Sequence, residues 1–214
     1  MEIPSTNEKI MTSAIILFSD RGYDTVSMRD IAAVVGINVA SIYHHFLSKL
    51  DILKSIYEYY TEQVRLVAPN LKDLLRLMET EPLEEVLVKT NYYYDPQIQD
   101  KMDRIILIAS QRISQDRESE NFIQNHFFKP KIEIWAALLS RGIELGSIKP
   151  IETESFMKLI TYYAFSAAEL SCTTMKLTKE QWENSMKMLY SLLKPVSVHE
   201  ANGDTNYERR EYEK

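Results

Sequence analysis

The chain has 214 residues, 45% of them hydrophobic and 26% charged, which is ordinary globular composition and enough for a sizeable core. Its net charge of −6 argues against nucleic-acid binding through bulk charge, and residues 1–60 carry five Lys or Arg against seven Asp or Glu. The single cysteine, Cys172, excludes an intramolecular disulfide. The start Met1-Glu2-Ile3-Pro4-Ser5 lacks a secretion signal's basic and apolar run, and no apolar run is long enough to span a bilayer, so a cytoplasmic protein without membrane contact is expected.

Few glycines and prolines interrupt the chain, and its apolar residues recur three and four apart, which predicts an all-α fold. A first helix is expected over about Asn7–Asp20, with Ile10, Ala14, Leu17 and Phe18 on one face and Arg21-Gly22 at its end. Ser27-Met28-Arg29-Asp30 resembles a capping box and opens a second helix that runs to about Val35. Gly36 makes the turn. Asn38 caps a third, short helix over Val39–Phe46, and Ser48 caps a fourth that continues toward Ala68. Further helices are expected near Leu71–Glu79, Pro82–Tyr93, Pro96–Asp116, Glu120–Leu145, Thr153–Thr173 and Lys179–Leu193. Pro130 should kink or split the Glu120–Leu145 helix. Residues 195–214 are polar, without an apolar stripe, and read as a disordered tail.

Met28–Phe46 has the plan of a helix-turn-helix. Ile31, Val35, Ile37 and Ile42 can share a small core, Ala32 is small where the helices cross, and Gly36 permits the left-handed turn. The second helix of such a unit lies in the major groove of DNA. The segment Gly36-Ile37-Asn38-Val39-Ala40-Ser41-Ile42-Tyr43-His44-His45-Phe46-Leu47-Ser48-Lys49 resembles the signature of TetR-family DNA-binding domains. Leu17-Phe18, Gly22-Tyr23, Thr25-Val26-Ser27 and Asp30-Ile31-Ala32 also match, so the resemblance covers about Ile10 to Tyr57. Asn38 stands where the family usually has Ser, and Ala40 where Gly is common.

The resemblance implies that Tyr43, His45 and Lys49 touch phosphates and that Val39, Ala40, Ser41 and His44 face base edges. Arg29 would clamp the DNA backbone, and Ser27 and Asn38 complete the DNA-binding set at the helix starts. It also implies an N-terminal DNA-binding domain over residues 1–50 and a larger helical domain over 51–194 that binds an effector and dimerises. The expected protein is a homodimeric regulator, most simply a repressor released from a palindromic operator in double-stranded DNA by a small organic effector.

Chemistry elsewhere is sparse. His44-His45 lacks metal-ligand spacing on a helix, His126 and His199 are isolated, and no Gly-x-Ser-x-Gly or phosphate-binding glycine loop occurs; no metal, cofactor or enzymatic activity is expected. Cys172 reads as an inert thiol buried in an apolar helix. Tyr93, Arg104, Ile108, Trp135 and Tyr163 are the candidate effector residues, since aromatic bodies with polar tips suit an organic ligand. Arg112 reads as a solvated side chain. Three classes stay open: a ligand-responsive DNA-binding homodimer, a helical interaction protein that keeps the fold but does not read DNA, and a small helical enzyme. The intact base- and phosphate-facing set favours the first.

Overall fold

A computed structural model describes residues 4–90 and 95–194. Every regular element among them is a helix. In chain order these are α1 (Thr6–Arg21), α2 (Met28–Val35), α3 (Val39–His45), α4 (Lys49–Val67), α5 (Leu71–Leu77), α6 (Leu83–Lys89), α7 (Pro96–Arg112), α8 (Arg117–Phe122), a π-helical segment (Ile123–Phe128), α9 (Lys129–Glu144), α10 (Thr153–Leu170) and α11 (Lys179–Leu193). No helix among the described residues is long and apolar enough to cross a membrane.

The helix starts are set locally. Ser5 caps α1 and Ser27 caps α2, each in a reciprocal capping box with the residue three positions on. Asn38, Ser48, Asp95, Asp116 and Thr178 accept from first-turn amides of α3, α4, α7, α8 and α11.

Two apolar clusters hold the helices together. The first joins Ile10, Ala14 and Phe18 of α1, Ile31 of α2, Ile42 of α3 and Ile52, Leu53 and Ile56 of α4 to Ile105, Ile108 and Ala109 of α7 and to Phe122 and Ile123. Each of these larger side chains contributes roughly 1.5–3 kcal/mol by burial. The cluster runs straight through residue 50, where the sequence suggests a domain boundary. The second cluster joins Leu74 and Met78 to Leu83, Val86, Trp135, Leu138, Leu139, Met157, Ile160, Met186, Tyr190 and Leu193. Helix α7 packs on α1, α4 and α10 and thus lies between the two regions.

Residues 117–144 form a continuous helical stretch rather than a split one. Pro130 has no amide hydrogen, and its ring crowds the carbonyl of His126 one turn earlier. The chain answers by widening into the π-helical turn Ile123–Phe128 immediately before Lys129. That stretch also begins earlier than Glu120, because Asp116 accepts from the Ser119 amide at 2.8 Å. Helix α7 ends at Arg112 and α10 at Leu170, both short of the apolar pattern's reach. Part of the expected Pro82–Tyr93 helix, and all of 195–214, lie outside the described residues.

Candidate nucleic-acid interface

Helix α2 is held at its start by Ser27. The Asp30 amide donates to Ser27 Oγ at 3.2 Å, while Asp30 Oδ2 accepts from the Ser27 amide at 2.7 Å and its hydroxyl at 2.5 Å. The Ser27 hydroxyl bond, seconded by the backbone amide, holds the Asp30 carboxyl below its usual range. At the other end Gly36 adopts φ 77° and ψ 31°, and the amides of Gly36 and Ile37 both donate to Ala32 O at 3.0 Å. That left-handed residue turns the chain sharply into α3.

Helix α3 starts on Asn38, whose Oδ1 accepts from the Ser41 amide at 2.7 Å and the Ser41 hydroxyl at 3.0 Å. Only Ile42 of this helix is fully buried, and it anchors α3 to the first cluster. Val39 and Ser41 are half-buried; Ala40, Tyr43, His44 and His45 are exposed. Tyr43 leaves 48% of its surface open, unusual for an aromatic side chain in a packed domain. The structure therefore gathers the expected base-facing and phosphate-facing residues of α3 on one short, outward-facing helix. Arg29 is exposed on the adjoining helix α2.

Lys49 behaves differently. Its ammonium turns inward, donating to Tyr23 O at 2.7 Å and Val26 O at 2.8 Å, and lies 4.2 Å from the centre of the Tyr23 ring. Burial pulls its pKa below the ordinary lysine value, which the nearby Asp24 charge offsets in part. The Arg112 guanidinium lies 3.9 Å from the same ring centre and pairs with Asp24 at 3.0 Å and Asp116 at 2.6 Å. With 12% of its side chain exposed, Arg112 is not the solvated residue the sequence suggests. It lies where the end of α7 meets the α1–α2 connection, and the partners that define its role are far away in sequence. From Asp116 the polar contacts continue to the Ser119 hydroxyl, which shares a 2.8 Å hydrogen bond with the Tyr57 hydroxyl on α4. Tyr57 in turn stacks on Phe122 with ring centres 4.1 Å apart.

The expected effector residues do not converge. Arg104 donates to Ser19 Oγ at 2.7 Å, Asp20 Oδ1 at 2.6 Å and Asp100 Oδ2 at 2.9 Å, so it fastens α7 to α1. Ile108 is 1% exposed in the first cluster. Trp135 and Tyr163 belong to the second cluster. Tyr163 stacks on Trp182 with centres 5.3 Å apart and donates to Ser185 Oγ at 3.0 Å. A cavity of 30 Å³ is lined by Thr90, Trp135, Thr161 and Trp182, among others. Trp182 Nε1 is buried and finds no hydrogen-bond partner among the described residues. Tyr93 lies outside the described residues. Cys172 is exposed, since α10 stops at Leu170 and the Ser171 hydroxyl turns back onto Ala168 O.

An exposed short helix anchored by a left-handed glycine turn, inside an all-α chain, defines a helix-turn-helix protein. Residues 10–56 match the family model described as bacterial regulatory proteins, tetR family. The N-terminal helices are thus similar to the DNA-binding domain of that family. It is 28% identical over 126 residues to YerO of Bacillus subtilis, an uncharacterized HTH-type transcriptional regulator, covering 59% of this chain and 42% of that protein. It is 53% identical over 51 residues to IcaR of Staphylococcus aureus, the HTH-type negative transcriptional regulator of the biofilm operon icaADBC, covering 24% of this chain and 25% of that one. The matched stretches thus span less than half the length of these two relatives. Among solved structures, the ketosteroid transcriptional regulator KstR2 of Mycobacterium tuberculosis aligns over 91% of this chain and 97% of its own, with TM-score 0.66 and 18% identity. AibR in complex with isovaleryl coenzyme A and operator DNA aligns over 89% and 99%, with TM-score 0.59 and 20% identity. Likeness at that identity speaks to the fold.

Proposed function

We propose that this protein is a DNA-binding transcription regulator, a homodimeric repressor released from a palindromic operator by a small organic effector. The observation that carries the reading is α3: a capped helix tied down by buried Ile42 and half-buried Val39, with Tyr43, His44 and His45 held out to solvent. Val39 and Ala40 offer apolar contact to thymine methyl groups. Ser41 and His44 can read base edges, and Tyr43, His45 and Arg29 donate to phosphates. Ser27 and Asn38 act through the helix starts they hold, because their oxygens already accept from their own helices. Helices α1–α3 are the DNA-reading unit; the remainder carries effector binding and dimerisation.

Dimerisation is supported by apolar surface on the last two helices. Leu159 and Tyr162 of α10 and Met188 and Leu192 of α11 leave 58–63% of their surface open. Such residues at helical spacing suit a four-helix seam built from two copies. The similarity to IcaR, a negative transcriptional regulator, and to AibR, solved in complex with isovaleryl coenzyme A and operator DNA, supports repression and effector binding.

For the effector, the reading keeps Trp135 and Tyr163 and sets aside Arg104 and Ile108, which are occupied in structural contacts. The Trp182 indole N–H is a buried donor, and leaving it unpaired costs about 1–3 kcal/mol, so an effector with a hydrogen-bond acceptor suits this region. The 30 Å³ cavity must expand to admit one, since ligand sites run to roughly 300–1,000 Å³. That expansion would move α9–α11 against α7, and α7 is fastened to α1. A gel-shift with the DNA directly upstream of the chain's own coding region tests the DNA reading. A retarded complex of two chains per duplex is expected; no retardation at any protein concentration contradicts it.

A further inference from the structure

This inference rests on reading α3 as the DNA-recognition helix. We propose that Lys49 is a positioning residue and not a phosphate ligand: with Arg112 it clamps the Tyr23 ring and fixes the start of α4, and thereby α3, for DNA.

An ammonium has three protons to place. Two are committed to Tyr23 O and Val26 O, and the Tyr23 ring lies 4.2 Å from the nitrogen. A phosphate would have to compete with the Tyr23 ring for the one remaining proton, or the side chain would have to leave its two charge-assisted hydrogen bonds. What those bonds do where they are is structural. The two carbonyls precede Lys49 by 26 and 23 positions and belong to the connection between α1 and α2. The bonds therefore close the segment that contains all of α2 and α3, setting α3 against the first turn of α4.

Arg112 makes the clamp two-sided in chemistry. Its guanidinium lies 3.9 Å from the centre of the same ring. Two cations on one ring repel, and the arrangement holds because Asp24 and Asp116 both pair with Arg112. Asp24 follows Tyr23 directly, so the acid and the aromatic ring that Arg112 grips belong to one loop. A residue at the end of α7 thus helps set the position of α3 through the α1–α2 connection.

The salt dependence of DNA binding separates positioning from phosphate contact. The probe is a duplex selected from a random-sequence pool by the full-length wild-type chain. Affinity is measured across salt concentrations for wild type, Lys49→Met, Arg112→Gln, Tyr23→Leu and the Lys49→Met, Arg112→Gln double variant. Lys49→Met should weaken binding by about tenfold at fixed salt with the slope of log K against log salt unchanged, since no phosphate charge contact is lost. Arg112→Gln should weaken it comparably, and the double variant no more than either alone. A slope that falls by about 0.9 per subunit in Lys49→Met overturns the proposal, because the ammonium then neutralises a phosphate. Wild-type affinity in Arg112→Gln overturns it as well. If Lys49→Met does not fold, Tyr23→Leu decides: it keeps both charges and removes only the ring, and undiminished affinity overturns the clamp. Failure of wild type to select any duplex is a different result, which overturns the DNA reading itself.

Discussion

Arg104 and Asp20 lie 84 positions apart in sequence and meet at 2.6 Å, where the middle of α7 grips the end of α1. The same guanidinium reaches Ser19 and Asp100, so Arg104 is engaged by three protein partners. Its role follows from those contacts: it fastens α7 to α1, the first helix of the proposed DNA-reading unit. Arg104→Ala should cost about 1 kcal/mol, the scale of a partly exposed charged hydrogen-bond set. It should lower the thermal midpoint by roughly 2–4 °C. A midpoint unchanged in calorimetry would show that the pair contributes nothing to the fold.

Gly36 tests the turn that aims α3. Its φ of 77° is costly for any side chain, while an added Cβ would meet no atom within 4 Å. Gly36→Ala therefore carries backbone strain alone, about 1–2 kcal/mol. Chemical denaturation should show that loss, together with weaker DNA binding as α3 shifts. A variant as stable as wild type means the turn does not need the left-handed conformation.

What the sequence made legible, and what it did not, divides by range. Ser27, Gly36, Asn38 and Ser48 act within three or four residues of themselves, so cap and turn chemistry placed α2, α3 and the start of α4 correctly. The candidate set on α3 came from the resemblance to TetR-family sequences, and of it Ala40, Tyr43, His44 and His45 are exposed. Arg104, Arg112 and Tyr23 act across 80 or more positions, and no periodicity reports such partners. Gly22-Tyr23 was visible as part of a signature, but its function as the ring between two cations was not. The effector residues scattered for the same reason: Ile108 and Trp135 lie on apolar stripes that look alike in sequence yet face different clusters. The π-helical turn before Pro130 is a tertiary answer to a local obstacle, which sequence could flag only as a break.

Asp103 supplies a pH test. It is buried, and that burial pushes its carboxyl above the ordinary value; the Gln99 hydrogen bond and the Lys176 charge oppose the shift without cancelling it. A folded pKa above the unfolded one means the folded chain holds the proton more tightly. The stability this provides is fully present below the unfolded pKa and is lost as pH rises through the folded one. Asp103→Asn lacks that dependence. Its stability relative to wild type should thus increase between about pH 4 and pH 7, read from urea unfolding at each pH. A relative stability that stays constant or decreases over that range contradicts the assignment.

The proposed seam makes a prediction about assembly. Leu159 and Leu192 are 58% and 63% exposed in the single chain, so a charge placed there has little to disrupt within it. Leu159→Glu with Leu192→Glu should leave the helical circular dichroism spectrum and unfolding midpoint of the chain nearly unchanged while yielding a 25.0 kDa monomer in light scattering. A dimer that survives both charges places the seam elsewhere.

The central claim is that α3 reads bases in a two-fold DNA site, and sequence selection from a random duplex pool tests it most directly. The full chain should enrich a palindrome with half-sites about 34–36 Å apart, or a multiple of that. Tyr43→Phe should enrich the same palindrome with lower affinity, whereas Val39→Ser or His44→Gln should change the preferred base at symmetric positions. If all three variants enrich the wild-type sequence unchanged, or if no palindrome emerges from the wild-type chain, α3 does not read DNA.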